Sequence, residues 1–139
     1  MSIARKTADS ASPRPGLKLA RAWYLLGLLM LLVVGALSLM PAPDVGVDDK
    51  LGHLITYFVL GAWFGLLAAN RRVLSWSIVG LLGYGMLLEL LQGMTSYRFA
   101  EWADVAANGG GILLGSLVYF TPMNRVLAFV DRKLARIGQ

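Results

Sequence analysis

The chain contains no cysteine in its 139 residues, so disulfides, thiolate metal sites, cysteine nucleophiles and palmitoylation are excluded for it. Charged residues are also scarce, at 15% of the sequence, whereas hydrophobic residues make up 57% and the mean hydropathy is +0.63. A water-soluble globule needs more polar side chains than this to cover its surface. The composition therefore predicts a protein whose main solvent is the lipid bilayer.

The chain also lacks an internal repeat, a low-complexity tract and a flexible linker, and its length fits one domain. Its net charge is +5, which in a soluble protein would suggest a nucleic-acid partner. The basic residues instead flank apolar runs and do not line one folded face. We therefore expect no nucleic-acid partner and interpret the basic residues as determinants of membrane topology.

Four apolar runs are long enough to cross a membrane, and they cover residues 22–40, 51–69, 73–94 and 103–121. A hydrocarbon core of about 30 Å requires about 20 helical residues. Runs this rich in leucine, without two-residue alternation, predict helices and not barrel strands. The sequence therefore predicts an all-α membrane protein, a four-transmembrane-helix bundle that occupies residues 22–121.

Lysine and arginine are distributed unevenly over the predicted loops. Eleven of the thirteen lie before the first run, between the second and third runs, or after the fourth. Because basic flanks stay on the cytoplasmic side, both termini are predicted to be cytoplasmic and the other two loops extracytoplasmic. A cleaved signal peptide is the alternative for the first run, but that run is longer than the usual hydrophobic region of about 7–15 residues.

Two basic tails flank the predicted bundle. Residues 1–21 contain several serines and prolines and are predicted to form a disordered cytoplasmic tail. In residues 122–139 one helical face is apolar and the basic residues point away from it, which predicts a short cytoplasmic amphipathic helix on the inner leaflet. The apolar face comprises Val126, Val130, Leu134 and Ile137, and the basic residues are Arg132, Lys133 and Arg136.

Charged or strongly hydrogen-bonding side chains inside the runs need a reason, because Asp, Lys or Arg at a helix centre costs about 2.5–3.5 kcal/mol on insertion scales. All of them fall at the predicted outer ends of the second, third and fourth helices. Each helix presents its pair on one face, through a spacing of three or four residues, so three polar faces can converge. The residues are His53 and Tyr57, Glu89 and Gln92, and Asp104 and Asn108, with Asp49 and Arg98 in the adjoining loops.

Glycines continue these polar faces towards the membrane interior. Gly111 and Gly115 form a GxxxG spacing on the fourth helix, which lets a neighbouring helix approach closely. Gly61 and Gly85 lie one turn from the polar pairs of the second and third helices. The pattern predicts a pocket, or a knot of hydrogen bonds, that is open to the outer surface and closed beneath by tightly packed helices.

In their order and loop lengths these residues resemble the VanZ-like family of small bacterial membrane proteins, and the resemblance covers roughly residues 44–118. It implies a VanZ-like domain of the cell envelope, in the bacterial cytoplasmic (inner) membrane. The founding member of the family is associated with low-level teicoplanin resistance without a defined reaction, so the resemblance implies an effect on glycopeptide susceptibility and no particular chemistry. The matching residues are Asp49, Lys50, His53, Tyr57, Glu89, Gln92, Arg98, Asp104, Asn108, Gly111 and Gly115.

The polar residues allow three interpretations, of which the first is purely structural. The side chains would then satisfy one another across the helices, although interhelical hydrogen bonds in membranes contribute only about 0.6 kcal/mol on average. That is little compensation for burying so many ionisable groups. The expected pairs are Glu89 with Arg98, His53 with Asp104, and Asn108 with Gln92.

The second interpretation is a binding module at the outer leaflet, for the head group of a lipid-linked envelope precursor or for a glycopeptide. Arg98 would bind phosphate or carboxylate, and the amide, phenol and imidazole groups would bond to hydroxyls or amides. The ligand-binding candidates are Asp49, His53, Tyr57, Glu89, Gln92, Arg98, Asp104 and Asn108.

The third interpretation is an enzyme that acts on a lipid-linked precursor, with His53, Glu89 and Asp104 as the candidate acid and base groups. Against it stand a single histidine and the lack of a known metal motif. No cofactor is predicted. If a divalent cation takes part, carboxylates and amides suit Mg²⁺ or Mn²⁺ better than Zn²⁺.

Overall fold

A computed structural model describes residues 16–41, 48–97 and 99–137 of the chain. The described residues form five α-helices, and a short 3₁₀ helix, Leu117–Phe120, follows the fourth directly. The α-helices are α1 (Ala20–Ser38), α2 (Asp49–Leu67), α3 (Arg71–Gly93), α4 (Trp102–Ser116) and α5 (Met123–Ile137).

Four of the helical segments are long and apolar enough to cross a membrane: α1, α2, α3, and α4 together with its 3₁₀ extension. The prediction of four apolar helices is therefore confirmed, with ends that differ from the predicted ones by at most two residues. Many large apolar side chains on these helices face outward, among them Leu25 at 63%, Val79 at 56% and Leu113 at 54% exposure. Such surfaces are stable against acyl chains and not against water.

The predicted tails are only partly covered by the described residues. Residues 1–15 lie outside them, and α1 begins at Ala20, two residues inside the predicted disordered tail. At the other end of the chain, residues 122–137 are described, and α5 begins at Met123 and ends at Ile137.

Local capping explains several of the helix ends. Asp48 precedes α2, and its carboxylate accepts hydrogen bonds from the amides of Lys50 and Leu51. Asn70 caps α3 in the same way, by accepting from the Val73 amide at 2.9 Å. These side chains satisfy N–H groups that have no partner within the helix.

Pro122 separates the fourth span from α5. A proline disfavours the α conformation in the residue before it, and Thr121 is accordingly extended, with φ −96° and ψ 164°. The Thr121 hydroxyl accepts from the Met123 amide at 3.3 Å, at the start of α5. The chain can therefore leave the membrane-spanning segment and begin a separate helix within a few residues.

The α2–α4 pair is the closest helix contact in the described part of the bundle. A Cβ at Gly111 would overlap the backbone of Leu54, and one at Gly115 would overlap the backbone of Phe58. On α2, a Cβ at Gly61 would overlap the backbone of Ile112. The two backbones touch because these three positions carry no side chain.

The buried core lies between α2, α3 and α4 and comprises Tyr57, Leu60, Leu81 and Ile112. Helix α1 packs at the periphery, and Gly27 is its only buried residue. Side chains of α3 donate hydrogen bonds to backbone carbonyls of α1 and so connect the two helices. Tyr84 donates to the Leu31 oxygen at 2.5 Å.

Helix α5 contacts the start of α1 through one carboxylate. Asp131 is 1% exposed and accepts hydrogen bonds from the amides of Lys18 at 2.7 Å and Leu19 at 2.9 Å. It also accepts from the Trp23 indole at 2.9 Å.

We call this end of the bundle, where α1 begins and α2 joins α3, the basic end. The opposite end, where α2 begins, α3 ends and α4 begins, is the polar end.

Candidate functional site

The polar end of the bundle contains four buried polar side chains. Glu89 and Gln92, near the end of α3, are each 3% exposed, and Asp104 and Asn108, near the start of α4, are each 4% exposed. The side chain of His53, on α2, is 11% exposed. Residues predicted to converge from three helices therefore lie at one end of the bundle, beneath its surface.

At the centre of this end, Asp49 and His53 of α2 meet Asp104 and Asn108 of α4, and we call these four residues the histidine cluster. Nδ1 of His53 lies 3.0 Å from Oδ1 of Asn108, within hydrogen-bond distance. Nε2 of His53 faces two carboxylates, at 3.8 Å from Asp49 Oδ2 and 3.9 Å from Asp104 Oδ2. The i,i+4 spacing on each helix presents each pair on the face that meets the other helix.

Two buried carboxylate oxygens at this end have no hydrogen-bond partner among the described residues. They are Oδ1 of Asp104 and Oε2 of Glu89. The second oxygen of Glu89 accepts from the Glu101 amide at 2.7 Å and so connects α3 to the start of α4. Buried carboxylate oxygens without a partner are costly and rare in proteins, so each one calls for an explanation.

Of the three predicted mutual pairs, one is close in the structure, one does not form, and one involves a residue outside the described part of the chain. His53 Nε2 lies 3.9 Å from Asp104 Oδ2, as the first of these pairs predicts. Gln92 donates to the Ser38 carbonyl of α1 at 2.9 Å, and Asn108 contacts His53, so the predicted pairing of Gln92 with Asn108 is wrong. The physical reason is that this face of α3 is directed towards the end of α1, whereas Asn108 faces α2. The predicted partner of Glu89, Arg98, lies outside the described residues.

Tyr57 forms the floor of the polar end. It is 2% exposed and belongs to the buried core. A Cβ at Gly85 of α3 would lie 3.1 Å from the Tyr57 ring. The missing side chain at Gly85 therefore gives the ring the space in which it packs, one turn below His53.

A cleft of about 230 Å³ lies beside the histidine cluster, between α1 and α2. The side of α2 that faces it carries two members of the cluster. His53 and Asp49 can therefore contact a molecule that occupies the cleft. The lining residues are Val34, Leu37 and Ser38 of α1, with Asp49, Gly52, His53, Thr56 and Tyr57 of α2.

Ser38 and Thr56 were not predicted as site residues. Thr56 follows His53 by three residues, a spacing that places both on one helical face, and this signal was available in the sequence. Ser38 had no such signal, because its contribution is a backbone carbonyl, which any residue provides. Helix α1 forms one wall of the cleft.

The rim of the polar end carries an exposed ion pair. Lys50 Nζ lies 3.2 Å from Glu101 Oε2, and both side chains are about half exposed, at 51% and 54%. Water and salt screen exposed pairs of this kind. The pair therefore lies outside the buried cluster and contributes little to its stability.

Comparison of the chain with family models, with curated protein sequences and with solved structures gives no match.

Proposed function

We propose that this chain is a VanZ-like protein of the bacterial cytoplasmic membrane that binds the head group of a lipid-linked envelope precursor, or a glycopeptide of similar chemistry, at its polar end. The main supporting observation is the histidine cluster beside an open cleft, in which Asp104 and Asn108 are buried. One carboxylate oxygen of Asp104 and one of the nearby Glu89 are left without a partner by the described residues. Binding of this kind would alter glycopeptide susceptibility by occupying or sequestering a wall precursor.

The unpaired oxygens favour a ligand site over a purely structural cluster. A purely structural cluster lowers its energy by pairing every buried polar atom. Here Asp104 Oδ1 and Glu89 Oε2 remain without partners among the described residues. Carboxylate oxygens of this kind accept from hydroxyl, amide and ammonium donors, which are the polar groups of a sugar-peptide head group.

The sequence supports a defined orientation for this site. Basic residues flank the opposite end, where α1 begins and where Arg71 and Arg72 precede α3. By the positive-inside rule, that end faces the cytoplasm, and the polar end faces outward, where glycopeptides and mature wall precursors are found. On the cytoplasmic side, the exposed apolar residues Val126, Phe129 and Ile137 of α5 support an amphipathic helix lying on the inner leaflet.

An enzyme acting on the same head group is the second candidate function. It is favoured by the position of His53 Nε2, which faces Asp49 and Asp104 and lines the cleft. An imidazole so placed can transfer protons to a bound substrate. Product formation separates this candidate from a binder, because a binder retains its ligand unchanged.

The binding test uses purified protein in nanodiscs and a polyprenyl-diphosphate-linked muropeptide as the probe, with phosphatidylglycerol as the reference lipid. We expect saturable retention of the muropeptide lipid and no saturable retention of the reference. Asn108→Ala should weaken the retention at least about tenfold, since it removes the hydrogen bond that orients His53.

The matched control is Asn124→Ala, which removes an amide side chain at the basic end, outside the histidine cluster and the cleft. This variant should bind the muropeptide lipid as the wild type does. Equal loss of binding in both variants, or equal retention of both lipids, would contradict a head-group site at the polar end. Conversion of the probe by the wild type, abolished in His53→Ala, would establish the enzyme in place of the binder.

A further inference from the structure

The hydrogen bond between His53 and Asn108 determines the state of the imidazole ring. The atom of Asn108 that lies 3.0 Å from Nδ1 is its carbonyl oxygen, Oδ1. An amide oxygen only accepts, so Nδ1 carries the proton and donates it. In the neutral ring, Nε2 then presents its lone pair to the carboxylates of Asp49 and Asp104.

A lone pair that faces two carboxylates is an unfavourable arrangement unless a positive charge lies between them. A second proton on His53 is one source of that charge. The distances from Nε2 to the two carboxylate oxygens are 3.8 and 3.9 Å, however, whereas an N–H···O hydrogen bond spans about 2.7–3.2 Å. At these distances neither carboxylate forms a direct hydrogen bond with Nε2.

The same distances suit a shared metal ion. Two atoms bound to one ion at about 2.1 Å each lie no more than about 4.2 Å apart, and both Nε2–oxygen distances are within that limit. One ligand atom from each of Asp49, His53 and Asp104 lies within 4.8 Å of the others. Asp49 is the exposed member of the three, at 58%, so a bound ion would be accessible from its side of the triangle.

Asp104 provides an independent indication of a ligand. Its side chain is 6% exposed, and its Oδ1 has no hydrogen-bond partner in the described part of the chain. A buried carboxylate that lacks a full set of donors is expensive to keep ionised unless a cation compensates it. Asp104 is the member of the cluster whose position a bound ion explains best.

We propose that Asp49, His53 and Asp104 bind one divalent transition-metal ion at the polar end, with Asn108 as the residue that orients the imidazole. Three ligands from two helices leave coordination positions open, and Asp49 and His53 both line the cleft. A phosphate or carboxylate oxygen of a bound head group can occupy such a position. The metal site itself does not depend on the proposed function. Only the identity of the head-group ligand in the open position rests on it.

The donor set selects among ions. One imidazole nitrogen favours a transition metal over Mg²⁺ or Ca²⁺, whose preferred ligands are all oxygens, and two carboxylates suit Mn²⁺. The hydrogen bond from Nδ1–H to Asn108 is the type of outer contact that fixes a histidine ligand in proteins. Without an ion, the two carboxylates would repel an anionic head group. A bound divalent cation would neutralise their negative charge and attract the head group instead.

The test is direct titration of the purified protein in nanodiscs of zwitterionic lipid with MnCl₂, followed by the loss of the free Mn²⁺ signal in electron paramagnetic resonance. We expect one saturable site per chain, and competition by ZnCl₂ but not by an equal concentration of MgCl₂. His53→Ala and Asp104→Asn should each weaken Mn²⁺ binding at least 10-fold, and Asn108→Ala should weaken it about 10–100-fold.

Glu101→Gln is the matched control, because it removes one acidic charge at the same end from a side chain outside the cluster. It should retain the wild-type affinity for Mn²⁺. A thermal melt of every variant without metal identifies any that fail to fold, and wild-type protein should melt at a higher temperature with Mn²⁺ whereas folded Asp104→Asn should not. Absence of saturable binding by the wild type, or equal weakening by Glu101→Gln and Asp104→Asn, would overturn the metal site.

The titration contains no muropeptide lipid, so its outcome is separate from that of the head-group test. Mn²⁺ binding without muropeptide retention would support the metal site and contradict the proposed function. Muropeptide retention that is unchanged by chelation, in a protein that binds no Mn²⁺, would keep the function and remove the metal site.

Discussion

At the residue scale, the side chain of Asp131 on α5 connects that helix to the start of α1. The carboxylate of Asp131 accepts from the amides of Lys18 and Leu19, which immediately precede α1, and from the indole of Trp23. Its negative charge also lies at the positive end of the α1 dipole. Burial alone would raise the pKa of Asp131, but the three N–H donors and the nearby Lys18 outweigh it and hold that pKa below its usual range.

Replacing Asp131 should therefore destabilise the contact between α5 and α1. Asp131→Ala leaves three part-buried donors without their acceptor, and the loss of each hydrogen bond to a charged group costs about 1.5–3 kcal/mol at most. Asp131→Asn keeps one acceptor oxygen and should lie between the alanine variant and the wild type. Thermal unfolding in detergent, followed by tryptophan fluorescence, measures the order, since Trp23 is one of the donors.

The same carboxylate predicts a pH dependence. Because the pKa of Asp131 is lower in the folded protein than in the unfolded chain, its ionised form stabilises the fold at pH values above about 4, the unfolded value. That contribution is lost as the pH falls through the lower folded-state pKa. The stability difference between wild type and Asp131→Asn should accordingly be constant from pH 7 to 5 and shrink in acid. A difference that grows in acid would contradict this role.

At the residue scale, the positions of the site residues could be predicted from the sequence, but not all of their hydrogen-bond partners. Helical spacing and the topology of the spans placed His53, Glu89 and Asn108 at one end, because both follow from periodicity. The partner of Gln92 could not be predicted, because it is a backbone carbonyl on α1 whose position depends on how the helices rotate about their axes. Asp131 was missed altogether, although it is the sole acidic residue after the fourth span and a charge of that sign in a basic tail was a usable signal.

At the scale of the elements, the glycine contact between α2 and α4 predicts a sharp difference between neighbouring positions. Gly115→Ala would place a methyl group into the backbone of Phe58. The helices would have to separate, at a cost of about 1–3 kcal/mol. A lower thermal unfolding temperature in detergent, and a loss of close α2–α4 contact measured by crosslinking, are the expected results.

Gly109 provides the control on the same helix. A Cβ at Gly109 would meet only the Leu82 side chain at 3.6 Å, an ordinary contact. Gly109→Ala should be neutral, or stabilising by about 0.5–1 kcal/mol, because alanine favours the helix. Equal destabilisation by both substitutions would show that the α2–α4 backbone contact is not what limits stability.

The helices themselves were the most predictable part of the molecule. Long apolar runs must form helices in lipid, since every backbone N–H and C=O needs a partner within the segment. The ends shifted by one or two residues where caps decide them, as at Asp48, whose side chain starts α2 two residues earlier than the apolar run begins. The 3₁₀ ending of the fourth span was not predicted, although Pro122 explains why a regular helix stops before it.

At the scale of the whole molecule, the orientation in the membrane can be measured with single cysteines, because the natural sequence has none. Ser96 is exposed at the polar end and Arg72 at the basic end. On intact bacterial cells, a membrane-impermeant maleimide should label Ser96→Cys and should label Arg72→Cys only after lysis. The opposite labelling pattern would put the polar end in the cytoplasm and remove the basis for an outer-leaflet ligand.

The attachment of α5 to α1 also has a consequence for how the protein is made. The four apolar helices are all translated before residue 131, so the amides of Lys18 and Leu19 have no carboxylate partner until then. A premature stop codon between Thr121 and Asp131 would yield a product that keeps these four helices and lacks the contact between α5 and the start of α1. Such a product should unfold at a lower temperature than the full chain.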